Sequence, residues 1–340
     1  MLTQTASEAP RLGHHAYLIS GPHAWNAAGH FIQNAFYDRH APFYLHIYSG
    51  VTSAEKAKSL CSDVRDKGCD VVIGVGGGRI LDLAKSVAIS AGTPVITVPT
   101  SAATCAAFAP LSILYHEDGT YDQCVWYDRE VDAVVVDNNL LAQQPPRLLI
   151  AGMLDAMAKS LELSRGNQSM SIHDVPISLH SAHHMACYTY DFLREHLLQA
   201  AQDLRAGQHT KLLDDVFFLN IALTGMISGI TKGKGQTALA HALYNGVRKF
   251  FPEQSRPYLH GEIVAVGLLA QCLYNHKPEQ REQLLDMMRQ LNVPCSLSEL
   301  GLTPNHDTLK LLADFIAKAR FAQRDGADST VIAQALASIC

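Results

Sequence analysis

Short apolar blocks separated by polar stretches run along the first 145 residues, and they predict strands that alternate with helices. After a polar, unpatterned lead-in over residues 1–14, we expect strands at 16–20, 43–48, 70–74, 94–99, 111–115 and 133–137. Apolar residues recur at helical spacing over about 24–36, over about 53–67 and from residue 79 onward. Strands that alternate with helices of this length are typical of βαβ units and a parallel sheet.

The pattern changes after Asn138. Helical periodicity then dominates, over about 147–164, 178–201, 211–230, 236–248, 260–275, 278–290 and 307–321, and no further strong strand is predicted. We therefore expect an α/β domain over 1–145 and a helical domain over 146–340, divided at Pro145-Pro146.

One glycine-rich stretch stands out in the first domain. The apolar run 71–73 predicts a buried strand, Gly76, Gly77 and Gly78 predict a turn, and a helix follows from Arg79. Glycine permits positive φ and close approach to the backbone, and a helix N-terminus offers free N–H groups to a phosphate. The turn therefore predicts a phosphate site, although the same sequence is compatible with a tight strand–helix turn that binds no ligand.

Two further features lie near this turn. Asp82 and Lys85 are three residues apart on one helix face, and by themselves they describe a local ion pair worth a few tenths of a kcal/mol. The segment 100–105 follows a strand, and its hydroxyls and amides could hold ribose, phosphate or nicotinamide. An ordinary loop is the alternative.

Three polar residues of the second domain lie in segments that are otherwise apolar. Asp155 lies in a strongly apolar helix, where an unpaired carboxylate is costly to bury. His241 is also surrounded by apolar residues, and His260 stands at the start of an apolar helix. One carboxylate and two imidazoles can bind a divalent metal with an open position, the pattern of catalytic zinc. The chain has 17 histidines, so structural roles for both remain open.

Composition narrows the class of protein. Hydrophobic residues make up 48% of the 340 residues, and the formal net charge is −5. No basic run indicates nucleic acid, no apolar stretch predicts a membrane span, and no signal peptide is evident. The eight cysteines are scattered, which fits reduced thiols and a cytoplasmic protein.

Five ordered motifs together resemble the iron-containing (group III) alcohol dehydrogenase superfamily, in its glycerol dehydrogenase branch. They are Gly-Val-Gly-Gly-Gly-x-x-x-Asp-x-Ala-Lys at 74–85, Val-Pro-Thr at 98–100, Ala-Gly-Met-x-Asp-Ala at 151–156, His-Ala-x-x-Asn-Gly at 241–246 and His-Gly-Glu at 260–262. The segment 100–114 is similar to the hydroxycarboxylate dehydrogenase subgroup, which reduces 2-oxo acids. The resemblance implies a Rossmann-like dinucleotide-binding domain, an all-α domain that binds metal and substrate, an active site in the cleft between them, and a homo-oligomer.

The resemblance also implies the site residues. Asp155, His241 and His260 match the metal ligands, with Zn²⁺ or another divalent metal expected, and Tyr244 is the candidate for proton relay. Cys105 and Phe108 are expected at the substrate. With the turn and the loop included, the candidate cofactor residues are Gly76, Gly77, Gly78, Arg79, Asp82, Thr100, Ser101, Ala103, Thr104, Ala109, Leu111 and Tyr115.

Three departures from the family pattern refine these expectations. Lys159 stands where the iron-dependent branch has a further histidine ligand, which favours zinc. Cys105 replaces the aspartate that contacts glycerol. Gly21 replaces the acidic residue that holds the adenosine ribose in NAD-preferring members, so NADP is permitted as well as NAD, with His23 nearby.

The expected function is that of an NAD(P)-linked oxidoreductase acting on the CH–OH group of a small polyol or hydroxy acid. Hydride transfer from a zinc-bound alkoxide is the expected reaction. Two alternatives remain: a sugar-phosphate cyclase of the dehydroquinate synthase type, and a non-catalytic descendant that only binds a dinucleotide. Nucleic acid and membranes are not expected partners.

Overall fold

The computed structural model describes residues 2–164, 170–233 and 235–340 and divides the chain into two units. The first unit comprises Met1–Pro145 and Ala206–Gly225, and the second comprises Pro146–Arg205 and Met226–Cys340. Segment 206–225, which we expected in the helical domain, therefore belongs to the first unit. Side-chain hydrogen bonds tie it there: Asn220 Nδ2 donates to Ala102 O at 3.0 Å, and Asn138 Nδ2 donates to Asp214 Oδ1 at 2.8 Å.

The first unit is built on a parallel sheet with the order β2-β1-β3-β4-β7. The strands of the chain are β1 (Ala16–Ser20), β2 (Phe43–Ile47), β3 (Val71–Gly76), β4 (Val95–Pro99), β5 (Leu111–Tyr115), β6 (Tyr121–Trp126) and β7 (Ala133–Val134). Every residue of β1, β3 and β4 is buried, as expected for strands covered on both faces. In the register Ser20 pairs with Val75 and Gly76 with Pro99, so the carboxyl ends of these strands meet at one edge.

Helices cover both faces of this sheet and make up the second unit. They are α1 (Thr5–Leu12), α2 (Pro22–Asp38), α3 (Ala54–Asp66), α4 (Gly78–Ala91), α5 (Asn138–Leu141), α6 (Pro146–Leu163), α7 (Ile177–Arg205), α8 (Lys211–Phe218), α9 (Thr224–Thr231), α10 (Leu239–Phe250), α11 (Pro252–Ser255), α12 (His260–Tyr274), α13 (Pro278–Leu291), α14 (His306–Ile316), α15 (Arg320–Asp325) and α16 (Ser329–Leu336). Side chains of α1 and α2 pack on one sheet face, and those of α3 and α4 pack on the other.

The structure corrects two local expectations. Residues 1–14 are not a loose lead-in, because helix α1 places Ala6 and Ala9 in the core on one face of the sheet. The strand β5 does not join the parallel sheet but forms an antiparallel hairpin with β6, which the sequence analysis missed. The β6 side chains are half-buried or exposed, so they lack the apolar run that signals a buried strand.

The described residues of the second unit contain no strand, as the helical periodicity predicts. Its centre is α12, in which residues 261–272 are all buried, so it is apolar on every side. Among the described residues one helical stretch, Lys211–Thr231, is long and apolar enough to pass a simple test for a membrane span. More than half of an apolar 18-residue part of this stretch is buried within the protein.

A buried lysine fixes the segment between β4 and the β5–β6 hairpin. Lys85 Nζ donates to Ala106 O at 2.7 Å, to Ala109 O at 2.9 Å and to Leu111 O, and it lies 3.0 Å from Asp82 Oδ1. The Asp82 carboxylate also accepts from Ile113 N at 3.1 Å. This pair is therefore not the exposed helical ion pair that the spacing alone describes. It compensates buried backbone carbonyls and holds the loop that follows β4.

Replacement of Lys85 by Met tests this role. The variant leaves three carbonyls without their donor and Asp82 without its cation, so we expect a loss of about 3 kcal/mol or more of unfolding free energy. Urea unfolding followed by circular dichroism measures it. Lys67→Met, at an exposed lysine paired with Asp63, is the control and should change stability little. Equal stability of Lys85→Met and wild type would contradict this role.

Candidate active site

The glycine turn lies where the sequence predicts it, between β3 and α4. Gly77 precedes α4 with φ −82° and ψ 179°, so the turn does not use the left-handed region that glycine permits. Close packing is the reason for glycine at Gly76, where a Cβ would lie 2.9 Å from Cβ of Ile80. No side chain caps the helix at Gly77. The first amides of α4 and its positive dipole end are thus left for an anion.

The segment after β4 lies beside this turn. Thr100 N donates to Gly76 O at 3.1 Å, which continues the pairing of the two strands. A Cβ on Gly77 would meet Ser101 Oγ at 3.6 Å, and one on Gly78 would meet Thr104 Oγ1 at 3.0 Å. The hydroxyls of Ser101 and Thr104 therefore border the glycines, as a site for a phosphate or ribose requires.

Two residues that the sequence analysis missed hold this segment in place. Gln144 Oε1 accepts from Ala102 N at 2.9 Å, and Asn220 Nδ2 donates to Ala102 O. Both side chains are buried. They come from distant parts of the chain, so no spacing in the sequence signals them.

The other predicted cofactor and substrate residues lie partly near the glycine turn and partly farther along the chain. Ala103 and Cys105 are half-buried members of the same segment, and Arg79 is an exposed residue in the first turn of α4. Farther along the chain, Ala109 and Leu111 offer their carbonyls to Lys85, and Tyr115 N donates to Thr52 O at 2.9 Å. Phe108 packs against Gly225, where a Cβ would lie 2.6 Å from that of Phe108. Roles in cofactor or substrate binding stay predictions for all of them, and for Asp82.

The structure brings Asp155, His241 and His260 together in the second unit, from α6, α10 and α12. Oδ1 of Asp155 lies 3.3 Å from Nε2 of His241 and 3.2 Å from Nε2 of His260. One donor atom from each residue lies within 4.8 Å of the other two. Exposure of the side chains rises from 6% at Asp155 to 12% at His241 and 29% at His260, so the cluster opens on the His260 side.

A buried glutamate, which the sequence analysis missed, orients His241. Glu162 Oε2 lies 2.5 Å from Nδ1 of His241, and Oε1 accepts from the backbone N–H groups of Ala238 and His241 at 2.7 and 3.0 Å. Because the carboxylate can only accept, Nδ1 donates, and in the neutral imidazole Nε2 is then the lone-pair nitrogen that faces Asp155. Asp155, Lys159 and Glu162 follow at i, i+4 and i+7 on one face of α6, a pattern that could have revealed Glu162.

The charges of the cluster shift its pKa values in different directions. Burial alone would raise the pKa of Asp155, but His260 and Lys159 hold it well below its ordinary value. Burial would likewise raise the pKa of Glu162, and His241 lowers it. Burial lowers the pKa of His260, and Asp155 offsets only part of this effect, so this imidazole favours the neutral form that a metal ligand needs. Burial alone would lower the pKa of His241, but Glu162 and Asp155 together raise it.

These residues fit a divalent metal. Oδ1 of Asp155 is buried and has no hydrogen-bond partner of normal geometry in the described part of the chain, although two nitrogens lie close to it. Tetrahedral ligands with bonds of 2.0–2.1 Å have donor atoms about 3.3 Å apart, close to the two separations seen. Three neutral or anionic donors and one open direction are the set of a catalytic zinc site.

Close contacts between helices place the three residues of this cluster. A Cβ on Gly261 would lie 1.9 Å from Ala151 O, and one on Gly267 would lie 2.7 Å from Cα of Ala240. Glycine at these positions thus allows α12 to approach both α6 and α10. The N-terminus of α12 is held by Glu262, whose Oε2 accepts from Leu259 N at 2.8 Å and whose two oxygens bind Arg147 at 2.6 and 2.7 Å.

Two more polar side chains line the cluster. The Tyr244 ring packs edge-on against His260, with ring centroids 4.2 Å apart. Lys159 Nζ lies 3.5 Å from Nε2 of His241. Lys159 is thus near the cluster, as its sequence position predicts, and the role of Tyr244 in proton relay stays a prediction.

Comparisons with known proteins decide the family. Residues 1–138 match the model of the family described as iron-containing alcohol dehydrogenase. A glycerol dehydrogenase from Thermotoga maritima is 33% identical over 258 residues, which cover 75% of this chain and 69% of that protein. The chain belongs to the iron-containing alcohol dehydrogenase family. It is therefore an oxidoreductase of the alcohol dehydrogenase type, in the glycerol dehydrogenase-like branch, as the sequence motifs predict.

Further relatives agree with this assignment. Hydroxycarboxylate dehydrogenase A of Escherichia coli is 32% identical over 263 residues, covering 76% of this chain and 70% of that protein. The solved structure of a probable glycerol dehydrogenase from Sinorhizobium meliloti matches with a TM-score of 0.85 at 23% identity, over 99% of this chain and 93% of that one. The predicted fold class, a Rossmann-like α/β domain with a helical domain, is confirmed.

The contact at Gly261 gives a direct test of how α12 is placed against α6. In Gly261→Ala the new methyl group overlaps Ala151 O, so α12 must move away from α6. We expect a loss of about 3 kcal/mol or more of unfolding free energy, at the upper end for overpacking, and a melting temperature lower by several degrees. Gly21→Ala is the matched control, since its Cβ would meet nothing closer than 3.6 Å. Equal melting temperatures for the two variants would contradict this account.

Proposed function

We propose that this protein is an NAD(P)-linked dehydrogenase that interconverts the CH–OH group of a small polyol or hydroxy acid and the corresponding carbonyl. Asp155, His241 and His260 would hold a divalent metal, with Zn²⁺ as the metal we propose. The observation that supports this most is the convergence of three donor atoms on one point, with Glu162 fixing the tautomer of His241. When bound, such a metal polarises the substrate oxygen and lowers the pKa of its hydroxyl.

Residues of the protein would orient the site, relay the proton and bind the cofactor. Glu162 keeps the Nε2 lone pair of His241 directed at the site, and Asp155 supplies negative charge in a water-poor surrounding. Tyr244 limits the movement of the His260 ring, and its hydroxyl is the candidate for proton relay. In the first unit the N-terminus of α4, with Ser101 and Thr104, would bind the pyrophosphate of the cofactor.

A substrate panel tests the proposal. Small aldehydes, ketones and 2-oxo acids are assayed in the reduction direction with NADH and with NADPH, with Zn²⁺ present. We expect at least one to be reduced with stoichiometric loss of the reduced cofactor. A cyclase would recycle its nicotinamide without net turnover of the cofactor, and the use of Asp155 in place of a glutamate ligand argues against that class. Folded protein without bound metal or turnover would favour the non-catalytic alternative.

Location and assembly are part of the same proposal. The structure pairs none of the eight cysteines in a disulfide, which is consistent with a reducing compartment, and we propose the cytoplasm. From the family resemblance we also propose a homo-oligomer, which size-exclusion chromatography with light scattering would test.

Replacement of His260 tests the metal site. We expect His260→Ala to lose most of its metal and to lower turnover by two or more orders of magnitude, because one of three protein ligands is removed. Metal content by elemental analysis and binding of NADH by fluorescence are measured in parallel. Affinity for the dinucleotide should stay within about threefold, since its proposed site lies in the other unit. Full metal content and activity in this variant would contradict the assignment of His260 as a metal ligand.

The residue after β1 tests the choice of cofactor. Gly21 stands at the N-terminus of α2, with the exposed His23 in its first turn, and a Cβ there would lie 3.6 Å from Ile80 of α4. We expect the wild-type enzyme to accept NADPH as well as NADH. In Gly21→Asp the new carboxylate would repel a 2′-phosphate, raising KM for NADPH about tenfold or more and leaving KM for NADH little changed. An equal change for both cofactors would contradict this placement.

A further inference from the structure

A buried lysine lies beside the proposed metal ligands. Lys159 is in the middle of α6, and its side chain reaches to 3.5 Å from Nε2 of His241, the nitrogen that faces Asp155. Only 5% of the residue is exposed. Burying an ammonium in an apolar helix is costly unless nearby charges compensate it. We therefore ask which physical interaction accounts for a buried Lys159 beside the proposed metal ligands.

The charge of the site changes sign when a metal binds. Asp155 and Glu162 carry one negative charge each and Lys159 one positive charge, so the three buried side chains together carry a net charge of minus one. With both imidazoles neutral, as ligation requires, a divalent metal brings the net charge to plus one. In a buried site with a low effective dielectric, an uncompensated charge is unfavourable. An anionic substrate neutralises it, whereas a neutral polyol does not.

Metal binding also alters what Lys159 contacts. Nε2 of His241 cannot accept a hydrogen bond from Lys159 while its lone pair ligates a metal. The N–H group of Lys159 that faces this nitrogen can then donate to an acceptor on the substrate instead. The carboxylate of a 2-oxo or 2-hydroxy acid is bonded directly to the reacting carbon, so it arrives at the site together with the reacting oxygen.

We propose that the ammonium of Lys159 binds this carboxylate and selects 2-oxo and 2-hydroxy acids over neutral polyols. This inference rests on the proposed dehydrogenase function and names the substrate class of the same site. A different role would be pure charge balance for Asp155 and Glu162. Charge balance alone would show as a change in zinc content when Lys159 is replaced, whereas carboxylate binding changes only the values for the anionic compounds and leaves zinc in place, so the two roles can be separated by experiment.

The test uses two pairs of compounds that differ only in carboxylate against hydroxymethyl. Pyruvate and hydroxyacetone are compared as substrates by kcat/KM. Lactate and propane-1,2-diol are compared as ligands of the zinc-loaded protein without nucleotide, by isothermal titration calorimetry. Wild type, Lys159→Met and Lys159→Arg are studied, and their zinc content is measured first. Lys249→Met is the control, since that lysine lies over the rings of Phe250 and Phe315 on the same unit.

We expect wild type to prefer pyruvate to hydroxyacetone by tenfold or more. Loss of a charge-assisted hydrogen bond should lower kcat/KM for pyruvate and the affinity for lactate about 10- to 100-fold in Lys159→Met. The values for hydroxyacetone and propane-1,2-diol should stay within about threefold. Lys159→Arg should keep part of the preference, and Lys249→Met should behave as wild type.

Several results would overturn the inference. A preference of wild type for hydroxyacetone, an equal loss with both compounds of a pair, or loss of zinc from Lys159→Met would each do so. Failure of the dehydrogenase proposal has a different signature, namely no turnover of either carbonyl compound. In that case the calorimetry still decides whether Lys159 binds a carboxylate.

Discussion

The second unit depends on one constraint: two carboxylates and an ammonium are buried on the same face of α6. Asp155, Lys159 and Glu162 stand in a helix whose residues from Leu149 to Leu163 are all buried. Charges in such a place must be compensated nearby, and among the described residues His241 of α10 and His260 of α12 contact these carboxylates. The glycine contacts at Gly261 and Gly267 bring those helices close enough for His241 and His260 to contact the buried carboxylates. The packing of α6, α10 and α12 therefore also determines where the charged groups of the site lie.

The sequence was most informative where a residue contradicts its local pattern. Asp155 and His241 are polar within apolar helices, and the structure brings them together. Helix and strand positions in the first unit were likewise predictable, because buried β-branched runs and helical spacing give strong local signals. Glu162 has the same kind of signal as Asp155, seven residues later on the same helix. Glu162 contacts Nδ1 and the backbone N–H of His241 and is not one of the three converging donors, so a pattern of metal ligands does not include it.

Other features could not be predicted because they depend on contacts between distant segments. Lys85 looks like half of an exposed ion pair in the sequence, and only the folded chain shows that it binds three carbonyls of a later loop. The placement of segment 206–225 depends on side chains such as Asn220 and Asp214, which periodicity does not distinguish from any other polar residue. The hairpin strand β6 carries no apolar run because its side chains are never fully buried.

The proposed metal site is held in shape by the protein itself. His241 is fixed by Glu162, and His260 begins a helix whose first turn is fixed by Glu262 and Arg147. Asp155 is fixed by the tight packing of α6 against α12. Because each ligand is held by other contacts, a metal would not have to order the chain when it binds, unlike a metal that drives folding. In our proposal the positive charge left after metal binding would act on the substrate rather than on the fold, and this is the basis on which the buried Lys159 would affect specificity.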